Sequence, residues 1–235
     1  MNYLIIVAGG NGERMKSKEN KIFLKIKNKP IIYWTFKAFE ESSVIDSIIV
    51  CARTDDLKKL KNIINKYHFK KVIKLIPAEK SRQETTMSTL LWLKTKAKKD
   101  DLIGIHNAVN PFVSRREIED VFTAARKHRA ALLAYPARDT VKVTNGNNLV
   151  DNTPIRNSCW YAQTPQVAFY RDLFKAFVKA RDENFVGTDD TQLLEKVEIK
   201  AKIISCSRYN FKITFPEDLI LARRIMSVFM KENKL

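Results

Sequence analysis

Tyr3-Leu4-Ile5-Ile6-Val7 runs without a break into Ala8-Gly9-Gly10-Asn11-Gly12-Glu13-Arg14-Met15. The apolar run predicts a buried strand, and the glycines end it. Three of the chain's six glycines fall between positions 9 and 12, where a missing Cβ permits positive φ and lets an anion approach the backbone N–H groups. Arg14 adds a planar, permanently charged fork, and Lys16, Lys18 and Lys21 follow. Cationic side chains therefore surround whatever the loop holds, and a polyanion is the natural guest. The loop lacks the Gly-Lys-Ser/Thr ending of a Walker A motif and the glycine spacing of dinucleotide-binding folds, so taken alone it also fits a tightly packed turn.

Outward from this stretch, strand and helix patterns alternate. Pro30 opens a helix through Ile31 to Phe39, and Ser47 to Ala52 is a short continuous apolar run that reads as a buried parallel strand. Thr54 offers an N-cap, with Asp55 and Asp56 as an acidic first turn, for a helix to about Tyr67. Val72 to Ile76 is the next strand, and Ser81 to Trp92 begins polar and ends apolar, as a loop leading into a helix does. Leu102 to His106 is a fourth strand, followed by Asn107-Ala108-Val109-Asn110-Pro111, and Ser114 caps a helix through Phe122. This alternation predicts an α/β fold with a doubly wound, mostly parallel sheet. Ligands of such sheets sit outside the carboxyl ends of the strands. The loops after Val7, Ile76 and Ile105 all lie at such ends, which favours a functional reading of the glycines.

The pattern changes from Ala131. Ala131 to Pro136 is a strand, and Thr140-Val141-Lys142-Val143-Thr144 reaches Asn145-Gly146-Asn147-Asn148 before Leu149-Val150, a hairpin signature. Two strands alone are marginal in water, so this arm must lie against something. A helix from about Tyr170 to Arg181, a capped helix after Gly187-Thr188-Asp189-Asp190, a strand over Ala201 to Ile204 and a terminal helix complete the chain.

A chain of 235 residues, 45% hydrophobic, suffices for one sizeable domain, taken here as 1–235. Cys51, Cys159 and Cys206 are widely spaced and odd in number, which suits a reduced cytoplasmic protein and gives no metal-ligand pattern. No apolar run reaches the roughly 18 residues that cross a bilayer. The formal charge of +17 is mostly lysine scattered through helical segments such as Leu57 to Lys66. Without a helix-turn-helix, RNP-type or zinc-finger pattern, that charge predicts solvated faces and no nucleic-acid partner.

Ala8 to Met15, followed by Lys21, Phe23-Leu24 and Asn28-Lys29-Pro30-Ile31, resembles the opening of the sugar-phosphate nucleotidyltransferases, and within them the cytidylyltransferases that make CDP-methylerythritol or CDP-ribitol. Arg138-Asp139-Thr140-Val141-Lys142, Arg156-Asn157, Trp160 to Gln166, Thr188-Asp189-Asp190, Lys212-Ile213-Thr214 and Pro216-Glu217-Asp218-Leu219 look like later family motifs in family order. The resemblance spans nearly the whole chain and implies a Rossmann-like nucleotidyltransferase. It would act with Mg²⁺ on CTP and a polyol phosphate, releasing pyrophosphate, with 2-C-methyl-D-erythritol 4-phosphate as the first candidate acceptor. Ribitol 5-phosphate, another polyol phosphate, or nucleotide binding with little turnover are the alternatives.

By resemblance, Arg14, Lys21 and Lys212 stabilise the transition state, and Ala8, Gly9, Gly10, Gly12, Arg14, Lys21, Thr85 and Ala108 bind the nucleotide. Asn107, Asn110, Arg138, Thr140, Thr188 and Lys212 fall where relatives hold the acceptor. The arm, 139–160, matches one that crosses to a second subunit, which implies a homodimer with Arg138 and Thr140 in the partner's site. Three stretches depart from the family pattern. Asn20-Lys21-Ile22 replaces Pro-Lys-Gln, and Ser81-Arg82-Gln83-Glu84 alters a Gly-Gly-x-x-Arg phrasing in which Arg82 is structural. Asn107 and Asn110 replace an aspartate and an arginine. Asn107 is thus only a weak Mg²⁺ ligand, since an amide carbonyl is neutral. His106 is expected to be structural.

Overall fold

The computed structural model describes residues 1–10, 15 and 19–232. The chain runs β1 (Asn2–Ala8), β2 (Lys25–Ile26), β3 (Lys29–Pro30), α1 (Ile31–Glu40), β4 (Ser47–Ala52), α2 (Thr54–Tyr67) and β5 (Val72–Pro77). It continues with α3 (Arg82–Leu93), β6 (Leu102–Asn107), α4 (Arg115–His128), β7 (Ala130–Pro136), β8 (Val143–Thr144) and β9 (Val150–Asn152). The last elements are β10 (Trp160–Phe169), α5 (Tyr170–Asp182), α6 (Asp190–Glu195), β11 (Lys202–Ser205) and α7 (Pro216–Glu232).

Among the described residues, seven strands form one sheet in the order β11-β7-β10-β6-β1-β4-β5. β1 lies near its middle, parallel to β4 and β6, and β4 is parallel to β5. Leu4, Ile5 and Ile6 are all 0% exposed, so both faces of this strand are covered, as the unbroken apolar run requires. Alternate side chains feed two apolar layers. Leu4, Ile6, Ile48 and Val50 pack with α1, α4 and α7, whereas Ile5, Ile49 and Cys51 pack with Leu90 and Leu93 of α3 and Leu173 and Phe177 of α5.

The doubly wound arrangement follows the expectation, with one strand added. β10 runs antiparallel between β6 and β7, where the sequence gives no strand signal. Pro165 argues against a central strand because it cannot donate to a ladder; the register shift between Ala162 and Gln166 absorbs it. Helix starts also differ slightly. Arg53, not Thr54, is the N-cap of α2, with Asp55 and Asp56 in the first turn as expected. α3 starts at Arg82, earlier than the loop reading of that stretch, because Ser81 and Glu84 close a capping box. Ser114 caps α4 as expected, again with a capping box through Glu117.

The hairpin is present as β8 and β9. Its turn is held by Asn145, whose side-chain oxygen accepts the N–H groups of Asn147 and Leu149 at 3.0 and 3.2 Å. Asn148 takes the left-handed conformation at φ 60°, which an asparagine tolerates. The arm leaves the sheet between β7 and β10, where the Ala137 N–H donates to the Cys159 carbonyl at 2.9 Å.

Candidate active site

The carboxyl ends of β1, β4, β5 and β6 open together into a cavity of about 850 Å³. Ala8, Gly9 and Gly10 come to it from β1, Ala78 to Arg82 and Thr85 from the turn after β5, and Asn107 and Ala108 from the end of β6. Lys21 and Lys212 close it from positions 191 residues apart in sequence. The structure therefore gathers eight of the residues expected at the site: Ala8, Gly9, Gly10, Lys21, Thr85, Asn107, Ala108 and Lys212. Gly12 and Arg14 lie outside the described residues.

Lys21 begins a single helical turn, Lys21–Phe23, whose start is capped by the Asn20 side chain accepting the Ile22 N–H at 3.2 Å. The lysine is 8% exposed, and its Nζ donates to the Ile213 carbonyl at 3.1 Å. The Ile213 N–H donates in turn to the Val109 carbonyl at 2.9 Å. Both lysines thus share one backbone support. The following loop is fixed by Asp218, whose carboxylate accepts the Thr214 and Phe215 N–H groups, each at 2.8 Å.

The wall opposite is drawn tight by Thr85. Its hydroxyl accepts the Glu79 N–H at 2.9 Å and donates to the Ser81 carbonyl at 2.8 Å. In this structure the side chain expected to touch nucleotide spends its proton on the wall, and the backbone it shapes faces the cavity. Arg82 has the structural role expected of it, donating both terminal nitrogens to Asp190 at 2.8 and 2.5 Å and so joining α3 to α6. The Ala78 N–H donates to the Ala52 carbonyl at 2.7 Å.

Against this pinned wall, Gly9 has no room for a side chain, since a Cβ there would stand 2.4 Å from the Ala78 Cβ. Gly10 has nothing within 4 Å, so its freedom is toward the cavity. Gly9→Ala is expected to raise the KM for the nucleotide at least about tenfold, because the 78–81 wall must be displaced. Adding Ala78→Gly removes the colliding methyl and should bring the KM back to within about threefold of wild type. A double variant no better than Gly9→Ala would mean that the two methyl positions do not exclude each other.

At the end of β6, the Asn107 N–H donates to the Thr164 hydroxyl at 3.2 Å and its Nδ2 to the Asn110 Oδ1 at 3.3 Å. Asn107 faces the cavity; Asn110 does not. Asn110 is 0% exposed, and its amide nitrogen donates to the Gln163 Oε1 at 3.4 Å and the Asn210 carbonyl at 3.2 Å. The position expected to hold acceptor is here a buried crosslink between β6, β10 and the 207–213 segment. Its carbonyl accepts from the His106 Nε2 at 3.0 Å. His106 is wholly buried beside Phe39, with ring centroids 4.7 Å apart. Burial pushes its pKa down to about 3, outweighing the hydrogen bond to Asn110. It is a neutral core group, as expected.

Thr188, Arg138 and Thr140 are exposed and do not line the cavity. The Thr188 hydroxyl and N–H both donate to the Gln192 side chain, at 3.2 and 2.7 Å. Among the described residues no group of three or more His, Cys, Asp or Glu could hold a metal ion. Asp55, Glu79 and Asn107 are among the residues that line the cavity, so a hard cation would need most of its oxygen ligands from a bound phosphate chain. Asn20, Arg53, Asp55 and Lys80 also line the cavity. Sequence reasoning marked Asp55 only as a helix start.

The family model for 2-C-methyl-D-erythritol 4-phosphate cytidylyltransferase (IspD) matches residues 2–228. The chain is 38% identical to the 2-C-methyl-D-erythritol 4-phosphate cytidylyltransferase of Clostridioides difficile (strain 630), over 99% of this chain and 97% of that protein. The enzyme of the same name from Clostridium botulinum (strain Langeland / NCTC 10281 / Type F) is 37% identical, over 96% and 97%. Among solved structures, 4-diphosphocytidyl-2C-methyl-D-erythritol synthase from Anaerococcus prevotii DSM 20548 superposes with a TM-score of 0.83 at 29% identity, covering 96% of this chain and 95% of that one.

Proposed function

The chain belongs to the 2-C-methyl-D-erythritol 4-phosphate cytidylyltransferase family, and on that premise we propose that it transfers a cytidylyl group from CTP to 2-C-methyl-D-erythritol 4-phosphate in isoprenoid biosynthesis. The observation that carries this is the cavity at the strand ends, which Lys21, bonded to the Ile213 carbonyl, and Lys212, the residue before Ile213, line together with Gly9 and Gly10. An oxygen of the acceptor's phosphate attacks the α-phosphorus of CTP. The bond to the bridging oxygen of the β-phosphate breaks, and pyrophosphate leaves with that electron pair. CDP-methylerythritol remains. No protein group needs to form a bond, so positioning and charge neutralisation supply the rate.

Ala8, Gly9, Gly10, Gly12 and the wall from Ala78, shaped by Thr85, hold the nucleotide, with Ala108 beneath. Lys21, Lys212 and Arg14 face the charge that develops on the α-phosphate. Asn107 meets the acceptor from β6, with Asn110 supporting it from the core. The oxygens of the triphosphate would hold Mg²⁺, with the Asn107 side-chain carbonyl as a weak ligand from the protein, and the metal would supply neutralisation of phosphate charge.

The arm, 139–160, supports a homodimer, because Leu149, Val150 and Ile155 are 64, 58 and 76% exposed and need a covering surface. Thr140 and Arg138 at its base then serve the neighbouring site, and Thr188 completes the acceptor pocket. Two apolar layers on one sheet support treating 1–235 as one domain. Three unbonded cysteines suit the cytoplasm, and among the described residues no helix is long and apolar enough to cross a membrane.

Pyrophosphate release from CTP and Mg²⁺, measured with 2-C-methyl-D-erythritol 4-phosphate and with ribitol 5-phosphate, tests the proposal. A kcat/KM at least about tenfold higher for the methylerythritol phosphate is expected. The reverse preference would reassign the acceptor, and no release with either would defeat cytidylyl transfer.

A further inference from the structure

Asp56 is 7% exposed and lies in the first turn of α2, just behind the cavity wall. Its Oδ2 accepts from the Asn20 Nδ2 at 2.7 Å and from the Arg53 Nε at 2.9 Å. Asn20 and Arg53 both line the cavity, and Asn20 directly precedes Lys21. The same Asn20 side chain caps the turn that Lys21 begins, through the Ile22 N–H. One buried carboxylate therefore grips the residue that sets the direction of the Lys21 turn, and it does so from a different element of the fold.

We propose that Asp56 is the positioning residue for Lys21, acting through Asn20, so that the active lysine is aimed by α2 rather than by the stiffness of its own segment. In this chain Asn20 stands where the resemblance gives a proline, whose ring would fix φ without any partner. Asparagine has no such stiffness. Its amide must be held from outside, and Asp56 does this with a charge-assisted hydrogen bond. Arg53 fixes that carboxylate across both oxygens, Nε to Oδ2 at 2.9 Å and Nη2 to Oδ1 at 3.4 Å, and Asn20 shares Oδ2 with it.

The inference rests on the cytidylyl-transfer reading, and its test separates the two. Asp56→Ala, Lys21→Ala and the double variant are compared for turnover with CTP and 2-C-methyl-D-erythritol 4-phosphate, for CTP affinity by calorimetry, and for melting temperature. Asp56→Ala alone should lower kcat about tenfold or more, and in the Lys21→Ala background the same change should cost less than about twofold. Equal losses in both backgrounds, or no loss in either, would overturn the proposal. Asn20→Ala offers the same cycle from the other side of the hydrogen bond should Asp56→Ala not fold. If wild type binds CTP but does not turn over, the reaction assignment fails, and the cycle on CTP affinity still decides whether Asp56 acts through Lys21.

Discussion

Lys21→Ala is expected to lower turnover at least about 100-fold while the fold survives, and Arg14→Ala to do the same. Each removes a positive charge from the site where negative charge accumulates on the α-phosphate, and one such donor contributes on the order of 3 kcal/mol to a transition state of this type. For Lys21 the geometry explains why no neighbour substitutes. The ammonium is held on the Ile213 carbonyl at 3.1 Å, and Lys212 reaches the same cavity from the next residue of that strand of backbone. Losing Lys21 also leaves that carbonyl without this donor, so a stability loss of about 1–3 kcal/mol accompanies the kinetic one. Steady-state rates paired with denaturant melts separate the two effects. Near-wild-type turnover in both variants would remove the glycine loop and its cations from the mechanism.

Mixing Lys21→Ala subunits with Arg138→Ala subunits, each expected to be inactive alone, should restore activity. If Arg138 serves the neighbouring site, a mixed dimer has one site with neither residue and one with both. Free exchange makes roughly half the dimers mixed, each with one intact site, so recovery approaches about a quarter of wild-type turnover. Differently tagged chains that co-purify verify exchange. Confirmed mixed dimers without recovery would place Arg138 in its own subunit's site or outside catalysis, and a monomer by sedimentation would remove the arm's role altogether.

Local signals carried much of the fold. β1 was legible because five adjacent apolar residues ending in glycines have few other readings, and α4 because Ser114 offers a cap ahead of the helix. β10 was not legible. Its polar Thr164 and Gln166 are buried, and Gln163 half-buried, as partners of distant backbone and side chains; Gln166 accepts the Asp190 and Thr191 N–H groups at 2.9 and 3.1 Å. No local periodicity announces such pairing. The site divides in the same way. Gly9, Lys21 and Lys212 could be picked out by residue type and motif, whereas the inward turn of Asn110 depends on Asn210 and Gln163, contacts 100 and 53 residues away in the chain. Thr85 was chosen for its hydroxyl, and what that hydroxyl does was set by a turn whose shape only the folded chain reveals.

The base of the arm deserves a last physical consequence. β10 runs opposite to its neighbours, so its first residues lie beside the last residues of β7, with Trp160 opposite Pro136. The excursion between them begins and ends at one point, on the carboxyl edge of the sheet. Its ends are pinned whatever its length, and closing a longer loop costs only about 0.6 kcal/mol per doubling. The segment therefore behaves as an interchangeable cassette. Changes in its length or sequence should leave the registration of the sheet, and of the strand ends that form the cavity, unchanged.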